Sequence, residues 1–309
     1  MKTASTTNTA EQVTVDRHQL TLTNVNKVYF PKDKITKGDV IAYYDMMAPV
    51  ILPYLKDRPL SLKRNPNGIN DKGFYHKDAG ENVPRWIKTY PEYSPSSEKI
   101  VDYIVCNNKA TLIYLANLGC IEMNPWNSTT RTPEKPTYLI IDIDPSPKNT
   151  FDQVVTVAQA VQEVLSRAGA VSYAKTSGAT GIHIYMPLGN KYEYEISREF
   201  GRMVATMVTE MLPGLTSIER SLKKRGNKIY VDFLQNSKGQ TLASAYSLRP
   251  REGATVSAPL LWNEVKAGLH PGMFTIHNIE KRVKKLGDIF YMVLKEGNNL
   301  KACLKNLGS

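Results

Sequence analysis

"YLIIDIDPSP", residues 138–147, sets Asp142 and Asp144 one residue apart in an otherwise apolar run that ends at Pro145. Such a run reads as a buried strand. Side chains alternate between the faces of a strand, so Leu139, Ile141 and Ile143 share one face while Asp142 and Asp144 project together from the other. Their Cα atoms then lie about 6–7 Å apart. Two like charges at that spacing call either for a counter-ion or for a strand end that reaches water.

Downstream, "NTFDQVVTVAQAVQEVLSRAG" (149–169) carries Phe151, Val154, Val155, Ala158, Val161 and Leu165 as one helical stripe that stops at Gly169. "AVSYAKTS" (170–177) is a second strand, so the pattern predicts a βαβ unit with parallel strands and a right-handed crossover. "GATG" turns the chain into "IHIYMPL" (182–188), a strand with His183 and Tyr185 on one face, and a helix follows from Ser197 to about Leu212. "KIYVDFLQ" (228–235) supplies a third mid-strand aspartate, Asp232, on the face of Tyr230 and Leu234. "LASAYSLRPR" (242–251) is expected to pair back on it as a hairpin arm carrying Arg249 and Arg251.

Upstream, "TKGDVIAYYDMMAPVILPYL" (36–55) predicts a helix with Thr36 as N-cap, and "NKATLIYLANLG" (108–119) a short helix stopped by Gly119. "PLSLKRNPNG" (59–68) and "KGFYHKD" (72–78) read as strands ending in turns. The expected class is therefore α/β in the α+β sense: mixed β-sheets flanked by helices, with strands delivering acidic and basic side chains to one open face. Residues 1–15 are polar and read as a disordered tail, 16–300 as a single domain and 301–309 as a C-terminal tail.

The chain has 309 residues and a net charge of +11, an excess that favours polyanionic partners such as nucleic acid or nucleotides. No apolar run approaches the about 20 residues of a membrane span, and the start "MKTASTTNTAEQ" lacks the apolar core of a signal peptide. The expectation is a cytoplasmic, nucleoid-associated protein without a membrane partner. Cys106, Cys120 and Cys303 form no CxxC pattern and read as reduced, buried thiols.

Three carboxylates without histidine or cysteine partners make a hard oxygen site, suited to Mg²⁺ or Mn²⁺ rather than zinc. Two such ions would serve an in-line phosphoryl displacement. "KTSGATGIHIY" (175–185) gathers Lys175, Ser177, backbone amides around Gly178 and Gly181, and His183, a set able to cradle phosphates; an ordinary hairpin turn would read the same. Arg249 and Arg251 could clamp a triphosphate. "RSLKKRGNK" (220–228) is either a nucleic-acid backbone contact or a solvated charged loop. Phe74 and Tyr75, between Lys72 and Lys77, offer a base-stacking platform or core packing.

Several motifs occur in order: "LTNVNKVYFP" (22–31), "TKGDVIAYY", "LKRNPNG", "MNPWNS" (123–128), "IDIDPSP", "KTSGATGIHIY", "VDFLQN" and "AYSLRPREGATVSAPLLW" (245–262). Over about residues 20–300 the chain resembles the polymerase domain of bacterial LigD-type DNA repair proteins, in the archaeo-eukaryotic primase superfamily. The resemblance implies a primase-like nucleotidyltransferase that extends the 3′ end of gapped or broken DNA. It implies a preference for ribonucleotides over deoxynucleotides and two Mn²⁺ or Mg²⁺ ions. By position, Asp142, Asp144 and Asp232 resemble the catalytic metal triad, while Ser177, His183 and Arg249, with Lys175 assisting, match the groups that hold the incoming triphosphate. Lys27 and Lys37 fall where the family grips a DNA 5′-phosphate. Phe74 and Tyr75 match its stacking pair, here with Tyr in place of a common Phe.

Where many relatives carry histidine before "PW", this chain has Asn124, near the expected sugar, which keeps hydrogen bonding but offers no imidazole. Ku and a DNA ligase are the implied protein partners, and no segment of the chain resembles the ligase or phosphoesterase modules often fused to this one. The rival readings are a non-catalytic nucleic-acid-binding module and a DxD-dependent phosphatase or glycosyltransferase.

Overall fold

The computed structural model describes residues 10–95 and 97–308. A hairpin of β1 (Ala10–Val15) and β2 (His18–Thr23) opens the chain, and a short pair, β3 (Val28–Phe30) and β4 (Ile35–Thr36), leads into α1 (Lys37–Leu55). Thr36 caps that helix: its side chain accepts from Asp39 N, while Asp39 accepts from Thr36 N at 2.7 Å, satisfying two orphan donors at once. β5 (Leu60–Arg64), β6 (Phe74–His76), the hairpin β7 (Thr89–Ser94) and β8 (Lys99–Ile104), α2 (Lys109–Asn117) and β9 (Cys120–Pro125) follow. Of these, β6, β5 and β9 form a three-stranded antiparallel sheet.

The second half begins with β10 (Tyr138–Asp144), α3 (Phe151–Arg167), β11 (Tyr173–Thr176), β12 (Ile182–Pro187) and α4 (Tyr194–Met211). It continues through β13 (Thr216–Ser217), the one-turn α5 (Leu222–Arg225), β14 (Ile229–Asp232) and β15 (Pro259–Leu260), and closes with α6 (Ile279–Leu286) and α7 (Leu300–Leu307). Its six-stranded sheet runs β13-β14-β10-β12-β11-β15.

The two faces of β10 belong to two different cores. Leu139, Ile141 and Ile143 pack with Ile182, Ile184 and the apolar stripes of α3 and α4. Tyr138 and Ile140 pack instead with residues of α1, α2, β5 and β9. Each such fully buried side chain contributes about 1.5–3 kcal/mol, so the register of β10 is fixed from both sides. Asp142 and Asp144 continue the Tyr138/Ile140 face to the point where its apolar cover ends and a cleft begins. That is why a strand buried on one side carries two carboxylates on the other.

Several expectations change. Residues 10–15, assigned to the tail, form β1, paired along its length with β2, and Val13 and Val15 lean on the first core; residues 1–9 lie outside the described residues. Most of the 301–309 segment is helix α7, anchored by buried Leu300 and Cys303 in the second core. The β10-α3-β11 unit does carry two parallel strands, but β12 lies between them, antiparallel to both. "LASAYSLRPR" forms no hairpin with β14. It runs across to the first core, where Ser244 N donates to Met123 O and Tyr246 N to Ser257 O, because Ala245, Tyr246 and Leu248 are buried there. Cys106, Cys120 and Cys303 are all free and buried. Among the described residues no helix is long and apolar enough to cross a membrane.

Candidate active site

Strand register builds the site. Lys175 faces His183, His183 faces Asp142, and Asp142 faces Asp232, so four ionisable residues form one row across β11, β12, β10 and β14. Asp144 follows one step along β10, opposite Tyr230. From the other sheet, Tyr75 faces Lys63, which faces Glu122, and Asn124 sits two residues beyond Glu122. Between the two sheets lies a cleft of about 210 Å³ lined by Tyr75, Glu122, Asn124, Asp142, Asp144 and His183 of the sheets and by Ser177, Arg249 and Arg251 of the adjoining loops, among others.

The carboxylates repel. Asp142, with a side chain 15% exposed, is pushed up to about 8 by burial and by the neighbouring Asp232 and Asp144, against the pull of Lys175 and Arg249. Burial also raises Asp144, which Arg225 partly offsets from 3.7 Å. Asp232 accepts from Leu234 N at 2.7 Å and Gln235 Nε2 at 2.9 Å. As the side chains stand, no three His, Cys, Asp or Glu groups among the described residues form a ready metal cage. The fit to a divalent ion rests instead on chemistry: an all-oxygen donor set, brought together by register, whose mutual repulsion a cation would relieve.

On the opposite wall, Arg249 links the sheets, donating from Nε to Glu122 at 2.6 Å and from Nη1 to Ser177 O. Ser177 Oγ accepts from Ala179 N and Gly181 N, so these two amides, expected to cradle phosphate, are already engaged within the turn. Gly178 has φ +69°, and a Cβ there would meet Val256 C at 2.8 Å, so the turn requires glycine. A Cβ on Gly181 would lie 2.1 Å from Ile143 O, so close does the turn pass to the aspartate strand. His183 is buried and held well below the usual imidazole range by burial, then by Lys175 and Arg249.

Not every expected residue reaches the cleft. Lys175 is 0% exposed and does not line the cleft; its Nζ lies 2.8 Å from His183 Nδ1. Phe74 does not line the cleft: Phe74 and Tyr75 are neighbours on a strand and face opposite ways, each under its own cation, Arg64 and Lys63. Lys27 and Lys37 also lie outside it, but together: Lys37 N donates to Lys27 O, and Lys37 is lowered to about 8 by burial and by Lys27. Lys27 Nζ donates to Asn67 Oδ1, and Lys37 Nζ to Thr23 O, both at 2.5 Å. Asn124 lines the cleft and is buried. Arg225, from the basic loop, is buried over the Tyr230 ring rather than solvated. Glu122 was not anticipated; its signal was the alternation Glu122, Asn124 within the apolar strand "CIEMNP".

Comparison with known proteins agrees across three measures. The family model described as LigD, primase-polymerase domain, matches residues 36–290. The chain is 35% identical over 274 residues to the Bifunctional non-homologous end joining protein LigD of Bacillus subtilis, covering 88% of this chain and 44% of that protein. To the Multifunctional non-homologous end joining DNA repair protein LigD of Mycobacterium tuberculosis it is 31% identical over 255 residues, covering 80% of this chain and 33% of that protein. The chain thus spans less than half the length of these relatives. In structure it is similar to the polymerase domain from Mycobacterium tuberculosis Ligase D in complex with DNA, with a TM-score of 0.83 and 27% identity, covering 90% of this chain and 99% of the other.

Proposed function

Because this chain belongs to the LigD primase-polymerase domain family, we propose that it is a DNA-directed nucleotidyltransferase of end-joining repair, adding nucleotides to the 3′ end of gapped or broken DNA. The observation that carries the reading is the register that sets Asp142, Asp144 and Asp232 beside a cleft walled by Arg249 and His183.

In this reading Asp142, Asp144 and Asp232 hold two divalent ions, Mn²⁺ by preference or Mg²⁺. When bound, the ions supply activation of the primer hydroxyl and charge neutralisation on the departing pyrophosphate. The chain's own residues do the positioning. Ser177, His183 and Arg249 orient the triphosphate, and Arg251 at the cleft mouth adds positive charge. Tyr75 supplies the stacking surface. Glu122 holds Arg249 in place by a charge-assisted hydrogen bond. Rate then comes from orientation and fixed electrostatics, with no covalent intermediate.

Asn124, buried in the wall of the cleft, is the candidate for contact with the sugar, and ribonucleotides are the expected substrates. Lys27 and Lys37 form a separate site for the 5′-phosphate of the downstream strand. Ku and a ligase are the protein partners this role requires.

The test is extension of a primer across gapped, 5′-phosphorylated DNA, comparing ribo- with deoxynucleotides in Mn²⁺ and in Mg²⁺. DNA- and nucleotide-dependent pyrophosphate release is expected, fastest with ribonucleotides and Mn²⁺. Salt-sensitive DNA binding without a product would instead favour the binding-module reading, and phosphate release without DNA the phosphatase.

A further inference from the structure

We propose that Asp33 is a positioning residue: it pins the turn Arg251–Ala254 through the amide of Gly253 and so sets where the Arg251 side chain enters the cleft. The inference rests on the reading above only for what Arg251 meets there, a triphosphate oxygen.

Arg249 and Arg251 both line the cleft, but they are held differently. Arg249 is fixed by its own side chain, through Glu122 and Ser177 O. The Arg251 guanidinium has no hydrogen-bond or ion-pair partner among the described residues, so its place follows from the backbone that carries it.

That backbone is a tight turn. Arg251 N donates to Arg249 O at 2.8 Å and Ala254 N to Arg251 O at 3.0 Å, and Gly253, third of the four, has φ +80°, the value a type II turn requires there. The closing bond joins the first and fourth residues, so the Gly253 amide needs an acceptor from elsewhere. Asp33 Oδ2 supplies it at 2.7 Å, from 220 residues away in the chain. Arg249 N donates to Thr255 O and Ile276 N to Ala254 O, which fixes the stem and the trailing side of the turn; Asp33 fixes its tip.

Asp33 stands on a firm base. It lies between β3 and β4, where the flanking Phe30 and Ile35 are paired and buried in the first core, while its own side chain is exposed. The neighbouring Lys32 pairs with Glu252 at 2.8 Å, but those side chains are 74% and 62% exposed and the pair adds little. What holds the turn is therefore one acceptor oxygen at one point, and an uncharged oxygen serves as well.

Because Asp33 is exposed, its replacement leaves both cores intact, and ATP titration of primer extension with Mn²⁺ tests the proposal. Arg251→Ala should raise the KM for ATP about tenfold, the value of one charge-assisted hydrogen bond. Asp33→Ala should raise it about threefold to tenfold with kcat at saturating ATP nearly unchanged, and Asp33→Asn, which keeps an acceptor in the same place, should restore it. In the Arg251→Ala background Asp33→Ala should add nothing further. A KM unmoved by Asp33→Ala, failure of Asp33→Asn to restore it, or additive losses in the double variant would each overturn the proposal. If the wild-type chain extends no primer, the polymerase reading fails, and binding of tripolyphosphate to the same proteins decides the inference alone. Tighter binding by wild type and Asp33→Asn than by Asp33→Ala then supports it, and equal binding, or none, overturns it.

Discussion

At the scale of single residues, Asp142 stands under repulsion from two neighbouring carboxylates, Asp232 and Asp144. Its carboxyl, ordinarily near 3.8, is pushed up to about 8. Between those values the folded chain holds a proton that the unfolded chain has lost, so this group's contribution to stability is full below 3.8 and disappears as pH rises through about 8. A divalent ion binds the ionised form, so the rise in melting temperature produced by Mn²⁺ should be larger at pH 8.5 than at pH 6.5. Asp142→Asn should remove that dependence, and a shift independent of pH in the wild type would contradict the assignment. The same variant should lose at least about 10²–10³-fold in extension rate, the scale seen when one charge-stabilising group is deleted. It should retain DNA binding, because the cationic surfaces are elsewhere; loss of both activities together would argue that Asp142 serves folding rather than catalysis. At Lys37, lowered to about 8, the sign reverses in consequence: the ammonium is lost as pH rises through that value, and preference for 5′-phosphorylated over unphosphorylated gaps should fall with it. A competition assay between the two ends across pH 7 to 9 would measure this.

Among the elements, β10 and the turn from Ser177 to Gly181 depend on each other through one close approach. Gly181→Ala puts a methyl group 2.1 Å from Ile143 O, and neither backbone can yield without displacing the aspartates. A loss of about 1–3 kcal/mol in stability, read as a lower midpoint in urea, is expected, as for other overpacked sites; an unchanged midpoint would mean that the turn moves freely. Much of this level was legible in the sequence. The DxD strand, the stripe of α3, most of helix α4 and the Thr36 cap follow from period and capping chemistry, which are local. The position of β12 was not, because periodicity says which face a strand buries and nothing about which neighbour it takes. The hairpin expected of "LASAYSLRPR" failed for a related reason: burial of Ala245, Tyr246 and Leu248 in the first core outweighed local pairing. Glu122 was missed because its partner, Arg249, is 127 residues away in the chain. The Phe74 and Tyr75 pair reads from the sequence either as a stacking platform or as core packing; both rings are exposed, and alternation along β6 sends them to opposite faces.

For the whole molecule, the shared strands β10 and β12 tie two cores into one mechanical unit, with Tyr138, Ile140 and Tyr185 in one and their sequence neighbours in the other. Thermal unfolding followed by tryptophan fluorescence and by far-ultraviolet dichroism should therefore give coincident transitions, and two separated steps would show that the halves melt independently. The distribution of basic groups also acts at this scale. Replacing Lys27 and Lys37 with alanine should flatten the salt dependence of DNA binding by about 0.9 per phosphate contact removed, without altering extension on DNA lacking a 5′-phosphate. The three sulfhydryls, finally, are all enclosed, and burial pushes those of Cys106 and Cys120 far above the range in which they react. A single cysteine introduced on the surface would then be the preferred target for a maleimide dye, so fluorescent reporters of strand capture could be attached to the otherwise native chain.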